Sequence, residues 1–205
     1  MSEDANRDGD RTADESAEWP VSLEGVTESV VTTLGPNDRW NAAALGLFAD
    51  EDDGSVTATT WGNTRTRRNF RRRGEGYIQF TVDPVTFADA ALSIVEVDDP
   101  VLESADAWAR VRVERVGADT EGDTRREEWA LRPVESRIVA ERVPTIDRGF
   151  GAVIEATVAA SRLGVPAYDQ GELRDRLEYY ASVVDRAGSP RERAALERVR
   201  EHADW

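Results

Sequence analysis

The feature that most constrains this chain is a change of texture at Pro144. Before it, short β-branched or alternating apolar stretches are divided by turn-forming clusters; after it, apolar residues recur at helical spacing. Such a chain is expected to be mainly β with α, its helices gathered toward the C-terminal end. Strands are expected at 26–34, 40–48, 55–61, 77–82, 107–116, 126–133 and 135–143. Turns are expected at Gly35-Pro36-Asn37-Asp38, at the acidic Asp50-Glu51-Asp52-Asp53-Gly54 and across 117–123. Short helices at 66–73 and 85–94 interrupt the strands, the first opening on Asn and Thr residues suited to a helix start.

Beyond Pro144 the spacing predicts helices at 151–163, 170–187 and 190–203. The last begins with Ser189, Pro190 and Glu192, a good helix-start signal. Tight connections predict an antiparallel helical cluster, packed on the barrel or on a partner subunit. Residues 1–18 mix acidic and polar residues without apolar periodicity, which predicts a disordered acidic tail. The organisation expected is a tail over 1–18, a β unit over 19–145 and C-terminal helices over 146–205.

Composition restricts the chemistry. Among 205 residues there is no cysteine and one histidine, His202, while all cationic side chains except that histidine are arginine. Disulfides, thiolate nucleophiles and thiolate metal sites are excluded, and lysine chemistry with them. Any enzyme built from this set would draw its reactivity from a cofactor. The run 50–53 lacks the spaced Glu of an EF-hand loop and reads as a solvated turn. A net charge of −15 argues against general nucleic-acid binding. An acidic surface with arginine in place of lysine resembles proteins of salt-loving archaea. No apolar run approaches the roughly 20 residues of a membrane helix, and the acidic start Met1-Ser2-Glu3-Asp4 lacks the features of a signal peptide. A cytoplasmic location is the expectation.

Two segments could carry chemistry. Arg65, Arg67, Arg68, Arg71, Arg72 and Arg73 crowd a short stretch that also holds Thr64, Thr66 and Asn69. Hydroxyls, an amide and guanidiniums at a strand-to-helix junction are the groups that hold a phosphate. The same run equally fits a solvated helix face paired with carboxylates. The second segment, Trp40-Asn41-Ala42-Ala43-Ala44-Leu45-Gly46, places small side chains where a strand prefers branched ones. Either a flat ligand reaches the backbone there or the alanines pack beneath a helix. Trp61 could stack on such a ligand or be buried, and Glu155 reads as a satisfied polar position on an amphipathic helix.

Their order is informative. Over residues 23–165 the chain carries Glu28-Ser29-Val30-Val31-Thr32-Thr33, then Asn41-Ala42-Ala43, then Gly62-Asn63-Thr64-Arg65-Thr66 with Asn69. Phe80-Thr81-Val82-Asp83-Pro84 follows, then Arg148-Gly149-Phe150-Gly151-Ala152-Val153-Ile154-Glu155-Ala156 leading to Ser161-Arg162-Leu163. In this order the sequence resembles the flavin reductase-like, FMN-binding split-barrel superfamily, and within it an archaeal family of unknown function numbered 447.

The resemblance implies a split β-barrel with an appended C-terminal helical region, non-covalent FMN and a homodimer. It implies that Asn63, Thr64, Arg65, Thr66 and Asn69 bind the phosphate, that Asn41, Ala42 and Ala43 face the ring, and that Thr32 and Thr33 meet the ribityl chain or ring edge. Flavin reductases often carry proline after the Asn-Ala pair, where this chain has Ala43 or Ala44. The function implied is an oxidoreductase using FMN as hydride or electron carrier, with a nicotinamide or other small redox substrate; no residue qualifies as an obligatory acid or base. A non-catalytic FMN protein or electron carrier would share every binding residue. Binding of RNA or another anion by the arginine segment, without flavin, is the remaining alternative.

Overall fold

The computed structural model describes residues 17–121, 124–203 and 205. Its elements are β1 (Val26–Leu34), β2 (Trp40–Ala49), β3 (Val56–Trp61), α1 (Arg65–Arg73), β4 (Glu75–Phe80), α2 (Pro84–Leu92) and β5 (Val95–Val97). They are followed by β6 (Ala107–Glu121), β7 (Thr124–Ile138), α3 (Arg148–Ala160), α4 (Gln170–Ala187) and α5 (Pro190–Ala203). Strands β1, β4, β6, β7, β3 and β2 pair in that order, and β2 pairs back on β1, closing an antiparallel barrel. Strand β5 adds to β2 at residues 40–42, outside the closed ring. The fold is thus a β-barrel with α-helices, as the texture of the sequence predicts.

Alternation along β1 and β2 decides what each face holds. Val31, Leu45 and Leu47 point into the barrel with Ile78, Val111 and Trp129. Val30 and Ala42 point outward, against Phe87 and Ala90 of α2. Each large side chain so buried contributes about 1.5–3 kcal/mol, which fixes the register: a slip of one residue would turn the Val31 face outward. The observed register sets Glu28 opposite Gly46 and Thr33 opposite Asn41.

The last long strands differ from expectation. In place of two strands broken at Pro133, β7 is continuous from Thr124 to Ile138. A register shift where Val111 pairs with Pro133 leaves Val134 as the extra residue of a bulge. A bulge tolerates a residue without an N–H, so proline bends the strand without ending it. Strand β6 likewise runs through Gly117 to Glu121, with a second irregularity at Arg115/Gly117, where a turn is expected. Residues 139–143 are not a strand. Of the tail expected over 1–18, residues 1–16 lie outside the described residues, and Ala17 already donates its N–H to the Pro133 carbonyl at 3.0 Å.

The C-terminal helices have their own core of Val153, Ala156, Leu173, Leu177, Val184 and Leu196, to which α2 contributes Ala88. Asp147 and Asp169 cap α3 and α4 by accepting backbone N–H bonds. Ser189 and Glu192 form a reciprocal capping box on α5. A Cβ on Gly149 would lie 2.7 Å from the Cα of Gly188, so glycine allows α3 to approach the α4–α5 junction. Helix α2 touches both cores, and the cleft described next lies beneath it.

Candidate functional site

A cleft of about 570 Å³ lies on the outer face of β2 and β3, roofed by α2 and walled by α3 and the segment after it. That is within the range of small-molecule sites. Ala44 and Gly46 lie on its floor, beneath Phe87 and Ala91. A Cβ at Gly46 would meet only ordinary contacts, the nearest 3.5 Å away, so the glycine marks open space rather than strain.

The cleft lining is rich in threonines. Thr59 and Thr60 come from β3, Thr64 and Thr66 from the start of α1, and Thr124 from the start of β7. Thr64 is the N-cap of α1: its Oγ1 accepts the Arg67 N–H at 3.2 Å. Thr66 is only 4% exposed, and among the described residues its hydroxyl has no hydrogen-bond partner. The hydroxyl itself is reachable from the cleft, so water or a ligand there can satisfy it.

The cleft wall carries two charged residues, Glu28 and Arg162. Glu28 sits beside Gly46, and partial desolvation, then repulsion from Glu155 of α3, raises its carboxyl above the ordinary value. The Arg162 guanidinium lies 5.1 Å over the Tyr168 ring, and both residues line the cleft.

The other expected site residues have partners of their own. Asn69 is buried and donates from Nδ2 to Thr33 Oγ1 at 2.9 Å and to the Thr33 carbonyl at 3.3 Å, while Arg72 donates to its Oδ1. Thr32 donates to the Pro100 carbonyl and accepts from Gln79, fixing the loop that follows β5. Asn41 is buried between Thr33 and Glu96 in the strand register. Arg65 pairs with Glu96 at 2.5 Å, and Asn63 accepts from Arg67 and Arg68. Ala42 faces α2 and lines a second hollow on its other side. Ala43, Thr64 and Thr66 are the expected residues that reach the cleft.

Much of the arginine run has a structural use. Arg71 and Arg125 grip the fully buried carboxylate of Glu127, with Arg115 at 4.0 Å. Burial opposes the Glu127 charge, but these guanidiniums outweigh it and hold the carboxyl below its ordinary value. Glu28, Thr59, Thr124 and Tyr168 carry no sequence signal for the cleft. Gly46 could have been found as the smallest residue of a small-residue strand, whereas Arg162, which follows α3, carries no such signal.

A closed antiparallel barrel with helices packed on its outer face and a hydroxyl-bearing, largely apolar cleft between them is a split barrel. The chain belongs to the protein family of unknown function DUF447: its N-terminal domain model matches residues 27–140 and its C-terminal model residues 147–201. Among solved structures, it is similar to an FMN-bound protein of that family from Methanosarcina mazei. The two share 21% identity and a TM-score of 0.75, over 88% of this chain and 96% of that one. Looser likenesses are found to the styrene monooxygenase flavin reductase of Pseudomonas putida S12 (14% identity, TM-score 0.42, 56% of this chain and 79% of that one) and to nitrilotriacetate monooxygenase component B of Bacillus cereus (15%, 0.43, 61% and 75%).

Proposed function

We propose that the cleft binds FMN without a covalent bond and that the chain works as an FMN-dependent oxidoreductase. The observation that carries this reading is Thr66, a residue only 4% exposed whose hydroxyl has no partner among the described residues and is reachable from the cleft, at a helix start that opens into it. The residues suit the group. Thr64, Thr66 and the first backbone N–H groups of α1 supply donors and a favourable dipole for a phosphate. Ala44 and Gly46 leave the outer face of β2 low enough for a flat ring. Phe87 and Ala91 cover that ring and exclude water. Bound FMN would supply hydride or electron transfer, and the protein binding, orientation and a dry surface. The FMN carried by the Methanosarcina mazei relative supports the same assignment.

The electron donor in this reading is a nicotinamide or another small redox molecule, entering past Trp61 and Tyr168 at the rim. The working unit is a homodimer. After β7 residues 139–147 form no helix or strand, with Val143 88% exposed and Ile146 fully exposed. Ile138 and Val139 are also exposed, and contiguous apolar exposure of this kind marks an interaction surface. Sedimentation in molar salt checks the dimer: Val143→Asp with Ile146→Asp should yield monomer, and an unaltered mass would refute this arm as the interface. For the reaction, FMN-loaded protein is mixed anaerobically with NADH or NADPH. Bleaching of the flavin with turnover supports the enzyme, whereas binding without reduction by any common donor would make the chain an FMN carrier.

A further inference from the structure

We propose that Arg162, at the end of α3 in the helical region, is the cation that recognises the flavin phosphate; this rests on the FMN reading above. The arginines beside Thr64 and Thr66 in sequence already have partners. Arg65 is paired with Glu96, Arg67 and Arg68 with Asn63, and Arg71 with Glu127. Neither Arg65 nor Arg67 lines the cleft.

Arg162 does, and among the described residues it is the one cation that does so. Among them it also has no carboxylate partner. Its guanidinium lies over the Tyr168 ring at 5.1 Å, a contact that uses the face of the group and not its N–H donors. A planar fork of donors matches two phosphate oxygens, and a cation already stacked loses little freedom on binding. In a chain of net charge −15, an arginine without a carboxylate partner among the described residues, on a wall of hydroxyls, small apolar residues and aromatic rings, selects for an anion. Glu28, the one carboxylate that lines the cleft among the described residues, disfavours a phosphate beside it.

The assignment has a structural consequence. Thr64 and Thr66 belong to the barrel, whereas Arg162 follows a helix packed in the C-terminal core. A phosphorylated flavin would therefore tie barrel and helical region together, and a flavin without phosphate would do so less.

The test compares affinities for FMN and riboflavin in the full-length chain, using wild type, Arg162→Gln and Arg65→Gln. Arg162→Gln should lower FMN affinity about tenfold to a hundredfold, the worth of a charge-assisted contact. Its riboflavin affinity should stay within about twofold of wild type, as should both affinities of Arg65→Gln, since neither touches a phosphate that riboflavin lacks. Retained riboflavin binding also shows that the variant is folded. An unchanged FMN preference in Arg162→Gln overturns the assignment and leaves the flavin reading standing. Equal loss of both flavins also overturns it, by making Arg162 part of the wall. A collapse of preference in Arg65→Gln alone would hand the role to α1. Wild-type protein that binds neither flavin would bring down both readings.

Discussion

Two hollows of nearly equal size, about 570 and about 550 Å³, lie against α2 and differ in chemistry. Among the described residues, the cleft over β2 and β3 is lined by hydroxyls, small apolar residues, aromatic rings, one carboxylate and one arginine. The hollow near β5 is lined by Asp83, Asp89, Asp98, Asp99 and Glu103, with Arg191 among them. Several of those carboxylates are engaged: Asp83 with Arg191, Asp89 with His202 and Asp98 with Arg39. Volume therefore does not identify a binding site here. Acids paired across elements hold α5 to α2 and the β5 loop to the segment before β2, while the cleft keeps the Thr66 hydroxyl, which has no partner among the described residues, and the Arg162 guanidinium, which has no carboxylate partner among them. A phosphate-bearing ligand is repelled by the first arrangement and suited by the second.

This contrast can be broken by substitution. The largest effect is expected from Gly46→Leu, which fills the floor of the cleft without a clash in the barrel; FMN affinity should fall by about 2 kcal/mol or more in a binding titration. On the other side of α2, Asp83→Asn should leave FMN affinity unchanged. It should cost at most about 1 kcal/mol in denaturant unfolding, because the charge pair with Arg191 is lost while asparagine still caps α2. Burial raises the Asp83 carboxyl, but Arg191, Thr86 and the Val85 N–H outweigh that and hold it below its ordinary value. Its contribution is then complete above the unfolded value near 3.8 and lost as pH falls through the lower folded value. The difference between wild type and Asp83→Asn should therefore shrink in strongly acidic unfolding experiments and stay constant near neutrality.

Smaller effects sharpen the cleft itself. Thr66→Val keeps the shape and removes the partnerless hydroxyl, so FMN affinity should drop by about 1 kcal/mol while thermal stability without ligand stays level or rises. A stability loss would mean the hydroxyl has a partner within the fold. Glu28 has a raised carboxyl, so its ionisation opposes folding as pH rises past the unfolded value near 4.5. Glu28→Gln should give a gain of a few tenths of a kcal/mol near neutrality. That gain should vanish in melts recorded below the unfolded value.

Much of this architecture was legible in the sequence, for reasons that can be named. Strand β1 and helices α4 and α5 have the expected bounds because each is marked locally, by β-branched residues ending at Gly35-Pro36 or by Asp169 and Ser189 at helix starts. Thr64 could likewise be read as a helix-start residue, and it is the N-cap. Other features depend on long-range pairing. That Asn69 turns inward follows from Thr33 lying across from it in the folded chain, and the continuity of β7 through Pro133 depends on the bulge opposite Val111. Strand β5 has three residues and exists by pairing with β2. In α1 a dense run of arginines suggested an anion site, yet several of them answer carboxylates and carbonyls of the chain itself. Arg162 stood alone in the sequence and reaches the cleft through the packing of α3 against α2 and α4, a relation no local pattern encodes.

The central claim is that FMN occupies the cleft under α2. A calorimetric titration of wild type and Gly46→Leu with FMN in molar potassium chloride tests it directly, since salt screens the self-repulsion of an acidic chain. The account predicts saturable binding of one FMN per wild-type chain, with a dissociation constant of about micromolar or tighter, and binding strongly weakened by Gly46→Leu. No saturable heat with wild type, or equal binding by the two proteins, would contradict it.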